Sequence, residues 1–281
     1  MKYADGTAFR TALEERLRSE SLATGVALSR LRKTVAFDRL LARLQVGAPE
    51  AWVLKGGLAL QARLHERART TKDVDLHTRE EADAAVDLLV SCALIDLGDY
   101  FGFTVARPST LGQPLWCPVE AQLGGRAFES FHVDLGCGEE WLGTVTCMPV
   151  TSLLAFADVP TVAFPCFPLG LHLAEKVHAL VRPRGGRDSS RVKDLVDLVL
   201  VAETSEVDPT ELRVALEATF GSDATCELPP RLPAPPRSSE AQYRLMARDL
   251  GLSAATLDEG AAVAAALVDP VLLDLEQTDG E

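Results

Sequence analysis

The amino-acid sequence lacks several features that would narrow its function at once. It has six cysteines but no Cys-x-x-Cys pair, so it shows neither a zinc knuckle nor a disulfide framework. No apolar run reaches the roughly 18 residues that a membrane-spanning helix needs, and the first residues show no signal-peptide pattern. These absences predict a cytoplasmic protein with reduced thiols and no membrane partner.

Positive charge is also scarce. The chain has 28 Lys and Arg against 41 Asp and Glu, a net charge of −13, which disfavours a broadly basic nucleic-acid surface. Most of the excess lies in residues 203–281, with 16 acidic and 5 basic residues, whereas the segment 176–193 has six bases and one acid. The sequence therefore allows one local basic site on an acidic protein.

The spacing of apolar residues predicts an α+β fold. Residues 8–22 and 25–46 have amphipathic helical patterns. Strand patterns follow, separated by helices and by Gly or Pro, and they favour a mixed or antiparallel sheet over a doubly wound parallel one. Helical patterns resume at Leu169, and the proline-rich segment 227–239 predicts an extended linker before two last helices. The strand segments are AWVLK, DVDLHT, FGFTVA, PLWCPVEAQL and AFESFHVDLGCG.

Two short motifs carry the strongest chemical signal. Asp73 and Asp75 lie two apart on a predicted strand, so their carboxylates share a face and suit hard divalent cations. One helix earlier, Gly56 and Gly57 let backbone N–H groups approach phosphate oxygens at a helix N-terminus, and Lys55 adds a positive charge. Together the motifs predict a metal-dependent site for a nucleoside triphosphate.

These motifs resemble a known family. The stretch KGGLALQARLHERARTTKDVDLHT is similar to the signature of the AbiEii/AbiGii-type nucleotidyltransferase toxins, the toxins of type IV toxin–antitoxin pairs, whose mycobacterial relatives are called MenT. The similarity continues through FHVDLGCG, LHLAEKVHAL and RVKDLVDLVLV. It implies a DNA polymerase β-like fold, two Mg²⁺ ions and a cognate antitoxin. It also implies transfer of a nucleoside monophosphate, often a pyrimidine, to the 3′ end of tRNA.

The resemblance also implies roles for single residues. Asp73 and Asp75 match the metal-binding acids, and Asp134 matches the third acid, which orients or deprotonates the attacking hydroxyl. Lys176 matches a lysine that contacts the triphosphate, and Asp194 matches an acid beside the active site. In this interpretation the nucleotide lies between a sheet-containing core and a helical region.

Three positions leave alternatives open. Asp197 is the alternative to Asp194. Leu58 stands where nucleotidyltransferases commonly place Ser or Thr, so the phosphate contact of that hydroxyl must come from the backbone or elsewhere. Thr71 stands where some relatives carry a phosphorylated hydroxyl, and the resemblance makes it a candidate phosphoacceptor.

The basic segment suits RNA phosphates, although it could equally be an ordinary surface loop. The residues predicted to bind RNA are Arg182, Arg184, Arg187, Arg191 and Lys193. Two other functions stay open: a nucleotidyltransferase that modifies a small molecule or a protein hydroxyl, and a nucleotide- or partner-binding protein without turnover. We expect four segments: an N-terminal helical cap (1–46), a nucleotidyltransferase core (47–160), a helical region completing the active site (161–226), and the proline-rich linker with acidic helices (227–281).

Overall fold

A computed structural model describes residues 2–69, 71–108, 115–138, 143–182 and 189–278. The chain forms two compact units. The N-terminal unit comprises Met1–Glu140 and Val145–Phe167, and the C-terminal unit comprises Trp141–Thr144 and Pro168–Glu281. The described strands all belong to the N-terminal unit.

Helices α1 (Gly6–Thr24) and α2 (Leu28–Gly47) open the N-terminal unit, which confirms both predicted N-terminal helices. The side chain of Asp5 caps α1, because its Oδ1 accepts a hydrogen bond from the backbone N–H of Ala8 at 2.8 Å. Gly25 ends α1 in the left-handed conformation that favours glycine.

Seven strands of the described residues form one sheet. They are β1 (Val53–Lys55), β2 (Val74–Thr78), β3 (Phe101–Val105), β4 (Leu115–Leu123), β5 (Arg126–Cys137), β6 (Thr146–Pro149) and β7 (Ala163–Cys166). Their order is β3-β4-β5-β2-β1-β7-β6. The pairs β2/β5 and β1/β7 are parallel and the other neighbours are antiparallel. This sheet confirms the predicted α+β class and mixed topology.

Strands β6 and β7 were not predicted. Each has four residues and contains a proline, so neither shows an alternating pattern that the sequence could reveal. They form through pairing that is distant in sequence, since Leu54 of β1 lies opposite Cys166 of β7. The backbone N–H of Phe167 extends this pairing by donating to the carbonyl of Leu54 at 2.9 Å.

The sheet has a buried face and a partly exposed one. In β5, Val133 and Leu135 are buried, whereas His132 and Asp134 are partly exposed.

Two helices directly follow strands, as the sequence predicts. Helix α3 (Gly56–Leu64) comes after β1, and helix α4 (Ala82–Ala93) comes after β2.

A buried ion pair helps to fix α2 against the sheet. The guanidinium of Arg43 donates to both carboxylate oxygens of Asp99 at 2.7 and 3.0 Å and to the carbonyl of Phe101 at 2.7 Å. Breaking one partner of such a buried pair leaves an uncompensated charge, so this contact holds α2 and the start of β3 together.

The C-terminal unit is helical in its described part. The proline-rich segment before α8 forms neither helix nor strand at residues 227–236, and the N–H of Leu232 donates to Asp269 at 2.9 Å. No helix within the described ranges is long and apolar enough to cross a membrane. The helices are α5 (Leu169–Val181), α6 (Ser189–Thr204), α7 (Pro209–Gly221), α8 (Glu240–Leu250) and α9 (Leu257–Thr278).

Candidate active site

Strand β1 runs directly into α3 through the predicted glycine motif. Gly56 has a φ of 61°, in the left-handed region that favours glycine. A Cβ at this position would lie 1.9 Å from Oδ2 of Asp75, so any side chain would collide with the carboxylate. Lys55 lies directly opposite Asp75 in the antiparallel pair of β1 and β2. The backbone at the N-terminus of α3 therefore lies beside one of the predicted acids.

The three predicted acids lie on one face of the sheet. Asp75 is directly opposite Asp134 in the parallel pair of β2 and β5. Asp73 comes two residues before Asp75, with the buried Val74 between them. Residues paired between strands share a face, as do residues two apart along a strand. The fold thus brings Asp73 and Asp75 near Asp134, from which they are 59 or more residues away in sequence. His132, two residues before Asp134 on β5, contacts Asp73, which is consistent with this proximity.

Asp134 has an unusual environment. Its Oδ1 is buried and has no hydrogen-bond partner among the described residues. Burial raises the pKa of the Asp134 carboxyl, and the negative charge of Asp73 raises it further, while His132 and Lys55 act in the opposite direction. Asp134 is therefore a more basic carboxylate than an exposed one, with an oxygen available to a ligand.

The donor atoms of this face suit magnesium. Mg²⁺ prefers carboxylate oxygens, which is what Asp73, Asp75 and Asp134 offer, and the buried Oδ1 of Asp134 is an acceptor that a cation would satisfy. Among the described residues, no group of three or more His, Cys, Asp or Glu side chains is close enough to enclose an ion. The chemistry of the three carboxylates fits a hard divalent cation.

Lys55 brings a positive charge to the same region. Its Nζ lies 5.7 Å from the ring centroid of Phe167, just after β7. A Cβ built on Gly136 would be 3.7 Å from this Nζ, so the ammonium lies over the backbone of β5. Its positive charge opposes the rise in the pKa of Asp134 that burial and Asp73 cause.

Thr71 lies beside the glycine motif. A Cβ built on Gly57 would be 3.1 Å from the Oγ1 of Thr71, whose hydroxyl donates to the carbonyl of Asp73 at 3.2 Å. Leu58, which stands where a hydroxyl was expected, is buried in the core. The fold therefore brings a hydroxyl to the glycine turn from the following loop instead of from α3.

Two residues of this face were given no role by the sequence. His132 lies with its Nδ1 3.4 Å from Oδ1 of Asp73. The indole of Trp116 stacks on the imidazole, with ring centroids 3.7 Å apart and planes inclined by 21°. Because His132 and Asp134 are two apart on one predicted strand, their shared face could have been found. The partner Trp116 depends on strand register, which the sequence does not reveal.

In the C-terminal unit, Lys176 contacts both candidate acids. Its Nζ lies 2.8 Å from Oδ1 of Asp194 and 3.0 Å from Oδ2 of Asp197. The side chain of Asp197 is almost completely buried, at 1% exposure. The two alternatives named from the sequence thus form a single cluster with Lys176 between α5 and α6.

In the described part of the predicted RNA-binding segment, some basic residues contact other groups of the protein and one is exposed. Arg182 pairs through Nε with Oδ2 of Asp223 at 3.3 Å, and its carbonyl accepts a hydrogen bond from Arg191 at 2.8 Å. Lys193 is exposed on α6. Two further predicted RNA-binding residues lie outside the described ranges: Arg184 and Arg187.

Residues 39–267 match the sequence model of a family described as "Nucleotidyl transferase AbiEii toxin, Type IV TA system". The match spans more than half of the chain. The protein belongs to the AbiEii nucleotidyltransferase toxin family. No curated protein sequence matches it.

Two solved structures are similar to this AbiEii protein. MenT4, a nucleotidyltransferase toxin from Mycobacterium tuberculosis, aligns with a TM-score of 0.63 at 19% identity, over 93% of this chain and 98% of MenT4. JHP933 from Helicobacter pylori aligns at 14% identity, over 86% of this chain and 93% of its own, with a TM-score of 0.44. The similarity to MenT4 confirms the predicted polymerase β-like nucleotidyltransferase fold.

Membership of the AbiEii family has direct consequences. The protein is a nucleotidyltransferase of the toxin class, so a nucleoside triphosphate is its implied donor substrate. A type IV toxin is one half of a toxin–antitoxin pair, which implies an antitoxin partner. The predictions of family, transferase class and toxin role made from the sequence are therefore confirmed.

Proposed function

We propose that the protein transfers a nucleoside monophosphate, preferably a pyrimidine, from a nucleoside triphosphate to the 3′ end of tRNA in a Mg²⁺-dependent reaction. The observation that carries this proposal is the juxtaposition of Asp75 and Asp134 with the backbone of Gly56. Acidic oxygens next to a glycine-rich helix N-terminus suit a metal-bound triphosphate. The modification would occur in the cytoplasm of the host. The modified tRNA would not be aminoacylated, and the host would stop growing.

Phosphate binding is the proposed task of the β1–α3 turn. The backbone N–H groups that begin α3 have no intrahelical partners and can donate to phosphate oxygens. Gly56 and Gly57 allow this approach because neither carries a Cβ, and the hydroxyl of Thr71 lies next to Gly57. Lys55 would offset the negative charge that develops on the leaving pyrophosphate.

The acids would align and activate the acceptor. Asp73, Asp75 and Asp134 would hold the divalent ions, which when bound polarise the α-phosphate and lower the pKa of the attacking hydroxyl. Asp134 would accept the proton of that hydroxyl, because burial and the charge of Asp73 make its carboxylate more basic. The 3′-oxygen would form a bond to the α-phosphorus, its proton would go to the Asp134 carboxylate, and the electron pair of the broken P–O bond would go to pyrophosphate.

The C-terminal unit would contribute charge. We propose that Lys176 contacts the triphosphate and that its partners Asp194 and Asp197 orient it. Arg182, Arg191 and Lys193, with the two arginines outside the described residues, would contact RNA phosphates. Since the whole chain carries a net charge of −13, RNA binding should be modest and sensitive to salt.

A labelling experiment tests the proposal. The purified protein is incubated with Mg²⁺, total RNA and each of the four labelled nucleoside triphosphates in turn. Label should appear in tRNA, most strongly with CTP or UTP, and should disappear when the RNA is first oxidised with periodate, which destroys the 3′-terminal diol. Asp73→Asn should abolish labelling in the same assay.

Two outcomes would redirect the proposal. If RNA stays unlabelled while a small cationic compound or a protein hydroxyl becomes nucleotidylated, the acceptor is not tRNA, and the acidic surface would account for steering a cation. If no acceptor yields metal-dependent pyrophosphate release, the protein binds nucleotides without turnover. Expression of the wild type, but not of Asp73→Asn, should arrest bacterial growth if the tRNA proposal holds.

A further inference from the structure

Trp116 and His132 form an aromatic pair at the edge of the acidic face. Their rings stack with centroids 3.7 Å apart, and the imidazole is 3.4 Å from the carboxylate of Asp73. Although one face of the indole is covered by His132, Trp116 remains 52% exposed. An exposed tryptophan forfeits much of the gain from burying its large apolar surface, so its position at a polar site calls for a ligand with a flat face.

The aromatic pair has a fixed place relative to the acids. Strand register puts Lys55, Asp75, Asp134 and Trp116 in one continuous row across four neighbouring strands. Strands lie about 4.8 Å apart, so Lys55 and Trp116 are separated by about 14 Å. One end of the row has a cation and the glycine turn, the middle has two carboxylates, and the other end has the aromatic rings.

Reaction geometry assigns the two ends to different substrates. In phosphoryl transfer the attacking and leaving oxygens lie roughly in line on opposite sides of the phosphorus. If pyrophosphate leaves toward Lys55 and Gly56, the attacking 3′-hydroxyl must approach from the Trp116 end. We propose that Trp116, supported by His132, stacks against the terminal nucleoside of the RNA acceptor. This inference rests on the proposed nucleotidyl transfer to RNA.

The chemistry of the pair fits a single-stranded RNA end. Unpaired bases are commonly recognised by stacking on Trp, Tyr, Phe or His, and such stacking tolerates different bases because each has a π-face. His132 supports the indole from behind, and its contact with Asp73 restrains the imidazole ring. The arrangement would hold the terminal ribose close to Asp134 while leaving the choice of base open.

Kinetics of two Trp116 variants test the inference. At saturating nucleoside triphosphate, Trp116→Leu should raise KM for tRNA about tenfold, because stacking of one base typically contributes that much to affinity. Its KM for the triphosphate should stay within about twofold of wild type, and Trp116→Phe, which keeps a π-face, should recover most of the loss. Leu94→Ala removes another exposed apolar side chain of the same unit and should change neither constant.

A binding measurement decides the matter if Trp116→Leu folds poorly. The chain has three tryptophans, at positions 52, 116 and 141, and Trp52 is buried. Intact tRNA, without triphosphate, should quench the fluorescence of the wild type more than that of Trp116→Phe. The extra quenching should shrink when a complementary oligonucleotide pairs with the single-stranded 3′ end of the tRNA and makes its bases unavailable for stacking.

Contrary results separate this inference from the proposed function. A rise in KM for the triphosphate with an unchanged KM for tRNA would mean that the pair stacks on the incoming base, and our assignment would be wrong. Equal quenching by tRNA with a free 3′ end and by tRNA with a paired 3′ end would also overturn it. If the wild type does not label RNA at all, the proposed function fails; if it labels RNA and Trp116→Leu does so with unchanged constants, only the stacking inference fails.

Discussion

The two units each contain a group of acidic side chains, and the groups differ in what surrounds them. In the N-terminal unit, the buried Oδ1 of Asp134 has no hydrogen-bond partner among the described residues, burial raises the pKa of this carboxyl, and the charge of Asp73 raises it further. In the C-terminal unit, Asp194 and Asp197 both lie within 3.0 Å of Lys176. An unsatisfied buried acceptor costs about 1–3 kcal/mol, so the first group lowers stability, whereas both acids of the second group contact a cation within their own unit.

This difference suits the acids of the N-terminal unit to ligand binding and the lysine cluster of the C-terminal unit to stabilising the fold. Groups that bind a ligand are often destabilising until the ligand arrives, because the fold holds them where their mutual repulsion is strongest. The acids of the N-terminal unit fit this description. The lysine cluster combines a proposed contact to the triphosphate with a structural role, and variants should reveal both.

The largest effect should come from Asp75→Asn. Removing one negative charge from the acidic face should lower the transfer rate by about 10³-fold or more, as losing a group that stabilises transition-state charge does. The melting temperature should stay equal or rise, because repulsion among the acids is relieved. Asp83→Asn, at an exposed acid in the first turn of α4, serves as the control with normal activity. Substantial turnover by Asp75→Asn in Mg²⁺ buffer would contradict the metal assignment.

The second effect should come from Lys176→Met, which removes the cation that lies 3.0 Å from the buried Asp197. The free energy of unfolding should fall by about 3 kcal/mol, as for other broken buried pairs. Urea unfolding measures this loss, and the double variant Lys176→Met/Asp197→Asn should recover most of it.

Activity distinguishes the two roles of Lys176. If the lysine also meets the triphosphate, the stabilised double variant should still need a much higher concentration of nucleoside triphosphate. Recovery of the wild-type KM together with stability would make Lys176 purely structural, and the proposed contact would be abandoned.

The third effect concerns pH and Asp134. The pKa of this carboxyl is raised above its ordinary value of 3.8, so the folded protein holds the proton more tightly than the unfolded chain. Stability from this group is therefore lost as pH rises from 3.8 through the raised pKa. Asp134→Asn should abolish transfer yet stabilise the fold at pH 7 by about 1 kcal/mol. The gain should be smaller at pH 4.5 than at pH 7, and a gain that grows on acidification would refute the burial argument.

Local patterns in the sequence account for much of the fold. Alternation in FHVDLG predicts that Val133 is buried and that its neighbours face the other way, and the glycine motif predicts the β1–α3 turn. Both are local properties of a few residues. The candidate metal-binding acids Asp73 and Asp75 could also be proposed from the sequence, because they are two apart on one predicted strand.

The contacts and strands that the sequence could not predict depend on the register between strands that are distant in sequence. Trp116 meets His132 only because β4 and β5 pair with Trp116 opposite Asp134. Strand β7 exists because β1 offers it an edge, although its own four residues have no strand pattern. The division of the chain into four segments and the roles of single site residues stay predictions.

The smallest effect should appear in the salt dependence of RNA binding. Each phosphate contact contributes about 0.7–0.9 to the slope of log K against log salt concentration. Arg187→Ala should remove about one such contribution if this arginine meets RNA. Arg182→Ala should remove less, since Asp223 at 3.3 Å already offsets part of its charge.

The variant Arg248→Ala, at an exposed arginine of α8, controls for the overall charge of the protein. Because the chain is strongly acidic, we expect only an arginine in direct contact with RNA phosphates to change the slope by a full contribution. Equal changes for Arg187→Ala and Arg248→Ala would therefore mean that RNA is attracted by diffuse charge and that the segment 182–193 is an ordinary surface loop.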